Sequence, residues 1–257
     1  MRFGLIWKGL AGLVLIGIMG AVGAITYLNH TRPAALGIAS VTPRGSASTS
    51  PDDPLNLVCR RPPVPSNFSS AGVTGLWVIQ PGSVAGYRAR EQFAELTSPH
   101  EAVARTEKVS GWLLIGGSGG TLEIETGCVA VDVRALRSVD ELPGFNTSDR
   151  DNIARDFLSA HSHPYVIFQP YPASLPLSAT SRAIQHVTLA GDIDVSGTTR
   201  PEQFALDVRL TGKQVAAAGK TTVQVEDFGV EVPQEAGGFV RVDPHITLEV
   251  SLILLKT

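Results

Sequence analysis

Apolar and polar residues alternate with a period of two over much of the chain after Gly72. The alternation is clear in residues 187–195, 204–210 and 246–254, where apolar side chains recur at every second position, interrupted once by Gly191. Successive side chains of a strand point to opposite faces, so each stretch predicts a β-strand with one buried face. Several such strands with few helical segments predict an all-β, antiparallel protein, either a sandwich or a closed barrel.

The glycines mark a turn and an irregularity between these strands. Residues 108–115 predict a strand, and the glycine-rich run 116–120 predicts the hairpin turn that follows it, because glycine supplies the positive φ that tight turns need. Leu122 and Ile124 then share one parity, whereas Val129 and the next two valines have the opposite parity. The change near Gly127 predicts a β-bulge, a device that bends barrel strands.

The remaining segments of this region lack a strand pattern. Residues 96–107 predict a polar loop or a short helix, and the Pro- and Ser-rich residues 170–180 predict a loop. Ser148, followed by an acidic first turn, predicts a helix N-cap. That helix must end before Pro164, because the residue before a proline is displaced from helical geometry.

The N-terminus contains a membrane-length apolar segment. Residues 9–28 carry no charge, and twenty helical residues span ~30 Å, the thickness of the bilayer core. Arg2 and Lys8 precede the segment, which favours residues 1–8 in the cytoplasm and a retained single-pass anchor in the cell membrane. A cleaved signal peptide is the alternative, since small residues near Ala24 suit a cleavage site. Both interpretations place the rest of the chain outside the cytoplasm.

Residues 29–71 are rich in Pro, Ser, Thr and Ala, which predicts a linker that tethers a domain spanning residues 72–257. The chain has two cysteines, Cys59 and Cys128. Because disulfides persist in oxidising compartments, an exported chain is expected to join them. Two unrelated buried thiols are the alternative.

Charge and candidate chemistry exclude several classes of function. The net charge is −3 and charged residues make up 18% of the chain, so no nucleic-acid partner is predicted. His161 and His163, with His186 as a third ligand, lack a Cys, Asp or Glu at ligand spacing, so no metal site is predicted. Asp149 and Asp151 fit helix capping better than an acid–base pair. We therefore predict no catalytic residue, no cofactor and no enzymatic activity.

Several short motifs occur in a recognisable order. They are Trp77-Val78-Ile79, Tyr87-Arg88-Ala89-Arg90-Glu91, Arg150-Asp151, Pro164–Phe168, Gly191–Pro201 and Phe228-Gly229. Together they resemble the YceI-like family, over about Gly75 to Leu255, and the anchored layout is similar to its extracytoplasmic members. The resemblance implies a lipocalin-like β-barrel with one or two short helices and a deep apolar pore. In known cases such a pore holds a polyisoprenoid.

The function implied by the resemblance is binding or carriage of a long apolar lipid, polyisoprenoid-like, inside the barrel at the outer side of the membrane. Its partners would be that lipid and, through residues 9–28, the membrane itself. The candidate ligand-binding residues are Trp77, Tyr87, Ala89, Phe157, Phe168, Leu189, Ile193, Phe204, Leu206, Val208, Phe228 and Leu248. These side chains would equally suit a filled core. In that case the domain is a non-enzymatic envelope stress or protein-interaction module.

Overall fold

The computed structural model describes residues 32–38, 54–63, 72–93, 99–118, 121–141, 146–176, 181–232 and 240–257. The predicted cytoplasmic residues 1–8 and the predicted anchor 9–28 lie outside the described residues, as does most of the predicted linker 29–71. No helix within the described ranges has the length and apolar character that crossing a bilayer requires. The elements below all belong to the unit Ala35–Thr257.

In the part of the chain that the structure describes, thirteen strand segments form a single antiparallel sheet. They are β1 (Gly75–Ile79), β2 (Val84–Phe93), β3 (His100–Thr106), β4 (Val109–Ser118), β5 (Thr121–Asp132), β6 (Arg137–Ser138), β7 (Tyr165–Pro170), β8 (Ala173–Leu175), β9 (Gln185–Val195), β10 (Thr198–Thr211), β11 (Gln214–Gln224), β12 (Val240–Val242) and β13 (His245–Lys256).

Several barrel strands are interrupted, so that each consists of two segments. β1 and β2 form one barrel strand, since both pair with β13. The next strand consists of β3, which pairs with β2, and β4, which pairs with β1. The strand after that is β5, which continues into β6. β7 and β8 pair with successive parts of β5, and β12 and β13 pair with successive parts of β2. Counted in this way, the described segments form eight barrel strands in chain order, and the β1–β13 pairing closes the ring. The all-β prediction is confirmed, and the sheet is a closed barrel.

Two short helices accompany the barrel among the described residues. They are α1 (Pro54–Val58) and α2 (Thr147–Phe157), with 3₁₀ turns at Val133–Ala135 and Val225–Phe228. The N-cap of α2 is Asn146, two residues before the predicted Ser148, and its Oδ1 accepts a hydrogen bond from the Ser148 N–H at 3.0 Å. Asn is as good an N-cap as Ser, so the sequence did not distinguish the two positions.

A register shift in the β4–β5 pairing lies close to the predicted bulge. Leu114 pairs with Thr126 whereas Ile115 pairs with Ile124, so Glu125 is the extra residue. The bulge is therefore two residues before the predicted Gly127. It produces the change of parity seen in the sequence, because one extra residue transfers the following side chains to the other face.

Two predicted loops contain strands. Residues 100–106, predicted as a loop or short helix, form β3, and residues 173–175 of the second predicted loop form β8. β3 shows no clear alternation because both of its faces are largely covered: consecutive Ala102, Val103 and Ala104 are all buried. A strand covered on both sides loses the period-two pattern on which the prediction depended.

The predicted linker 29–71 includes a helix that packs on the outer wall of the barrel. Leu55 of α1 is buried with Trp112 and Leu114, which point outward from β4. Cys59 forms a disulfide with Cys128 of β5, with a Cα–Cα distance of 5.5 Å. The Trp112 Nε1–H also donates a hydrogen bond to the Cys59 carbonyl at 3.1 Å. The chain is thus fixed to the barrel well before β1 begins.

Residues 36–38 of the same predicted linker contact another part of the outer wall. The Leu36 N–H donates to Oε2 of Glu249 at 3.3 Å, and the Ser251 hydroxyl donates to the Gly37 carbonyl at 3.0 Å. Ile38 packs against two alanines on the outward face of β11. This segment helps to explain why Ser251 is fully buried on an outward-facing position of β13.

A buried apolar cavity with one polar end

The barrel encloses a cavity of about 720 Å³. Most of the strand segments send alternate side chains into it, as the pleat requires. In β9 and β10 the inward rows run from Val187 to Val195 and from Phe204 to Leu210, and the side chains between them face outward. The period-two pattern of the sequence therefore becomes the apolar wall of the cavity.

All twelve residues proposed from the sequence as ligand-binding line this cavity. They are Trp77, Tyr87, Ala89, Phe157, Phe168, Leu189, Ile193, Phe204, Leu206, Val208, Phe228 and Leu248. Two of the aromatic rings contact each other edge to face, with the centroids of Phe168 and Phe204 5.1 Å apart and the ring planes at 67°. This geometry is favourable for aromatic pairs and holds the two rings in the wall.

The two ends of the cavity differ in composition. One end consists of an apolar cluster that includes Trp77, Leu122, Leu189, Leu210 and Leu254. The apolar cluster of the other end includes Ile193, Val223, Phe228, Val242 and Ile246. Near this second end the cavity lining also contains charged residues of β2 and α2, namely Glu91, Asp149 and Arg150. The cavity is therefore apolar along its length and polar at one end.

The polar end is also where the cavity meets solvent. Ile153 and Phe157 of α2 line the cavity and yet are 52% and 38% exposed, respectively. Because both side chains line the cavity and are also accessible to solvent, they lie where the cavity reaches the surface. We refer to the cavity entrance beside Ile153 and Phe157 as the α2 mouth.

A buried ionic network lies next to the α2 mouth. Nη2 of Arg150 donates to Oδ1 of Asp140 at 2.6 Å and to the Ser138 hydroxyl at 2.8 Å. Oδ2 of Asp140 is 2.7 Å from Nε2 of His100, and its Oδ1 accepts from the Val103 N–H at 2.9 Å. Asp140 thus connects β3 with α2, and it holds the Arg150 side chain in a fixed position.

The environment of Asp140 favours its charged form. Burial would raise the pKa of the Asp140 carboxyl, but hydrogen bonds from His100, Arg150 and the Val103 N–H outweigh burial and lower the pKa to about 2. Hydrogen bonds to a carboxylate stabilise the charged form selectively, which explains the direction. Asp140 is therefore ionised at neutral pH and neutralises Arg150.

The surroundings of Glu91, unlike those of Asp140, raise the pKa of its carboxyl. Its side chain is 9% exposed and lines the cavity. Oε2 of Glu91 is buried, and no described residue hydrogen-bonds to it. Nη1 of Arg150 is 3.6 Å away, which is close enough for an ionic contact but too long for a hydrogen bond. Burial raises the pKa of Glu91, although Arg150 and His100 act in the other direction. Oε2 of Glu91 is therefore a polar atom of the cavity lining that no described residue satisfies.

Tyr87 lies on the same face of β2 as Glu91, and its ring lines the cavity. Burial raises the pKa of Tyr87 above its ordinary value, with Arg150 acting in the other direction and Glu91 adding to the increase. The phenol therefore stays protonated at physiological pH. It gives the polar end a neutral hydroxyl beside the carboxyl of Glu91.

The histidines considered as metal ligands are not brought together. His161 and His163 are exposed in the turn after α2, and His186 is on the outer surface with Nδ1 2.6 Å from Oδ1 of Asp207. Within the described ranges, no group of three or more His, Cys, Asp or Glu side chains has a geometry that could hold a metal ion.

Asp149 and Asp151 also have separate surroundings. Asp149 is exposed and contributes to the cavity lining near the α2 mouth. Oδ1 of Asp151 accepts hydrogen bonds from the backbone and the hydroxyl of Ser138, at 2.9 and 2.6 Å. Asp151 therefore attaches α2 to β6 and is not paired with Asp149.

The polar end was not predicted from the sequence. For Glu91 the sequence did contain a signal. Glu91 shares the parity of Tyr87 and Ala89 on β2, so its side chain must point into the barrel if theirs do. No local pattern indicated Asp140, since its partners His100 and Arg150 belong to two other elements, a strand and a helix. Long-range contacts of this kind are set by the tertiary fold.

The closed antiparallel ring and its apolar interior define a lipocalin-like barrel protein. The YceI-like domain model matches residues 88–254, which is well over half of the chain. The chain therefore belongs to the YceI-like family. No curated protein matches it in a sequence search.

Solved structures resemble this chain at low sequence identity. A polyisoprenoid-binding domain from Saccharophagus degradans, implicated in plant cell wall breakdown, has a TM-score of 0.51 and 11% identity, covering 70% of this chain and 98% of that one. BcnA of Burkholderia cenocepacia has a TM-score of 0.47 and 12% identity, covering 66% and 95%. A Campylobacter jejuni YCEI protein has a TM-score of 0.37 and 13% identity, covering 63% and 82%. The first of these shares the fold.

Proposed function

We propose that this protein binds or carries a long apolar lipid of the polyisoprenoid type in the barrel interior, without catalysing a reaction. The observation that carries the proposal is the cavity of about 720 Å³, with a mostly apolar wall and charged residues beside α2. Cavities of roughly 300–1,000 Å³ are the usual size for small-molecule sites, and an eight-stranded barrel is wide enough to hold one small ligand.

The chemistry of the wall supports an apolar chain as ligand. Burial of apolar surface contributes about 25 cal/mol per Å² before the entropic costs of binding, so a hydrocarbon chain needs no hydrogen bonds along the wall. A ligand with polar groups along its length would leave them without partners beside Leu189, Leu206 and Leu248. The polyisoprenoid-binding domain of Saccharophagus degradans has this fold, which supports a polyisoprenoid in particular.

The alternative considered from the sequence was an interaction module with a filled core. A core filled by its own side chains packs to near-crystalline density and leaves few voids larger than a water molecule. The cavity volume of about 720 Å³ therefore supports a carrier over an interaction module.

We further propose that the barrel lies at the outer side of the cell membrane and is held there by residues 9–28. The uncharged segment behind Arg2 and Lys8 supports the anchor. The disulfide between Cys59 and Cys128 supports an oxidising compartment.

A matched pair of substitutions tests the carrier function. Ala89 points into the cavity and is buried, whereas Ala205 is exposed on the outer face of β10. Ala89→Trp should fill the pore and abolish binding of a labelled polyprenol, while Ala205→Trp should bind as the wild type does. Thermal unfolding of both variants reports whether overpacking, which typically costs about 1–3 kcal/mol, has unfolded the barrel. Full binding by a folded Ala89→Trp protein would refute a ligand inside the barrel.

A further inference from the structure

The polar groups of the cavity are concentrated where a lipid would enter. Glu91 and Tyr87 of β2 and Arg150 of α2 lie at the end beside the α2 mouth. Gln185, at the start of β9, lines the opposite end among apolar neighbours. A lipid whose chain fills the apolar length of the cavity would therefore place its head group beside Glu91.

One oxygen of the Glu91 carboxyl, Oε2, is buried at this end without a hydrogen-bond partner among the described residues. Its side chain is more than nine-tenths buried, and within the described residues no donor reaches Oε2. A buried oxygen left without a hydrogen bond is unfavourable, and natural structures usually supply a partner. A ligand atom in the cavity would be such a partner.

The charges around Glu91 determine which head group fits. Arg150 supplies the guanidinium that lines this end, and Asp140 already neutralises it through a 2.6 Å hydrogen bond. Glu91 and Asp149 also line this end of the cavity. A phosphate, which carries close to two negative charges at neutral pH, would enter a region where carboxylates outnumber the guanidinium. A neutral oxygen avoids this repulsion.

We propose that Glu91 selects lipids with a neutral oxygen at the head, a hydroxyl or a carbonyl, over lipids with a phosphate head. This inference rests on the proposed lipid-carrier function and adds the class of head group to it. As a carboxylate, Glu91 accepts a hydrogen bond from a hydroxyl head, and as an acid it donates to a carbonyl. Burial raises the pKa of Glu91, which keeps the acid form accessible.

The test compares three ligands of equal chain length on the full-length protein in a fixed concentration of mild detergent. They are a polyprenol, the corresponding polyprenyl phosphate, and the corresponding hydrocarbon without a head group. The wild type should bind the polyprenol about tenfold more tightly than the hydrocarbon, which is the effect of one hydrogen bond to a charged group. It should bind the phosphate no more tightly than the hydrocarbon.

Variants assign the preference to Glu91. Glu91→Leu should bind the polyprenol and the hydrocarbon equally, and Glu91→Gln should retain most of the preference, because an amide also donates and accepts. Gln185→Leu is the control, since it removes a polar side chain from the opposite end of the same cavity and should leave the preference unchanged.

Three results would overturn the inference. The first is tightest binding of the polyprenyl phosphate by the wild type, which would show an anion site at Arg150. The second is an undiminished polyprenol preference in Glu91→Leu. The third is equal binding of all three ligands by the wild type, which would leave the lipid carrier intact but without head-group selection. Binding of none of the three ligands would refute the carrier function as well, so the two failures are distinguishable.

Discussion

Removal of the Cys59–Cys128 disulfide should cost this protein a large part of its stability. The bond joins residues 69 positions apart in the sequence. In the chain-entropy model, a closed loop of that length stabilises the folded state by about 4 kcal/mol, because the crosslink restricts the unfolded chain. For a domain of this size, each kcal/mol corresponds to a shift in the melting temperature of about 2–4 °C. The double variant Cys59→Ala/Cys128→Ala should therefore melt about 8–16 °C lower.

The same substitution should loosen the outer wall locally. The helix α1 buries Leu55, and with five residues it is too short to be stable alone. Without the disulfide, α1 is still held by its packing on Trp112, by the Ser110–Asn56 hydrogen bond of 2.6 Å and by the hydrogen bond from Trp112 to the Cys59 carbonyl. Trp112 is 7% exposed in the folded protein, so its fluorescence should shift to the red and become accessible to iodide.

Calorimetry with and without reductant provides the controls. Reduced wild type should melt at the temperature of the double variant, and the double variant should not respond to reductant. A loss of less than about 1 kcal/mol on removing both cysteines would refute the chain-entropy reasoning for this loop.

Other predictions concern the polar end, the α2 mouth and the anchor. Asp140→Asn should destabilise the barrel by about 2 kcal/mol at pH 7, because the pKa of Asp140 is lowered from 3.8 to about 2. That stabilisation is present above pH 4 and is lost as the pH falls toward 2, so the free energies of unfolding of wild type and variant should converge near pH 2. A difference in unfolding free energy that stays constant with pH would contradict this role of Asp140. Ile153→Asp should weaken lipid uptake without lowering the melting temperature, since Ile153 is 52% exposed; unchanged uptake kinetics would count against the α2 mouth. The full-length protein should stay with membranes after a carbonate wash, and an N-terminus beginning near Ile25 would contradict a retained anchor.

The sequence predicted the inward rows of the barrel because those strands have one buried face. In β10 the apolar positions Phe204 to Leu210 all line the cavity, as their period-two spacing indicated. β3 was missed for the converse reason: Ala102 to Ala104 are buried on both faces, so the strand has no alternation to detect.

Elements that depend on contacts with other parts of the fold also could not be predicted from the sequence. α1 has only five residues, and it is held by a disulfide and by Trp112, not by helix propensity. The polar end depends on Asp140, which meets Arg150 and His100 only in the folded chain. Glu91 is the instructive case, because its inward parity was visible but its environment was not.

Mass spectrometry of an organic extract of the full-length protein, purified from membranes, tests most directly whether the barrel carries a long apolar lipid. We expect a polyisoprenoid with a neutral head in a ratio approaching one per chain, and none in the extract of Ala89→Trp. An extract without any lipid, from a protein that also fails to take up added polyprenol, would contradict the account.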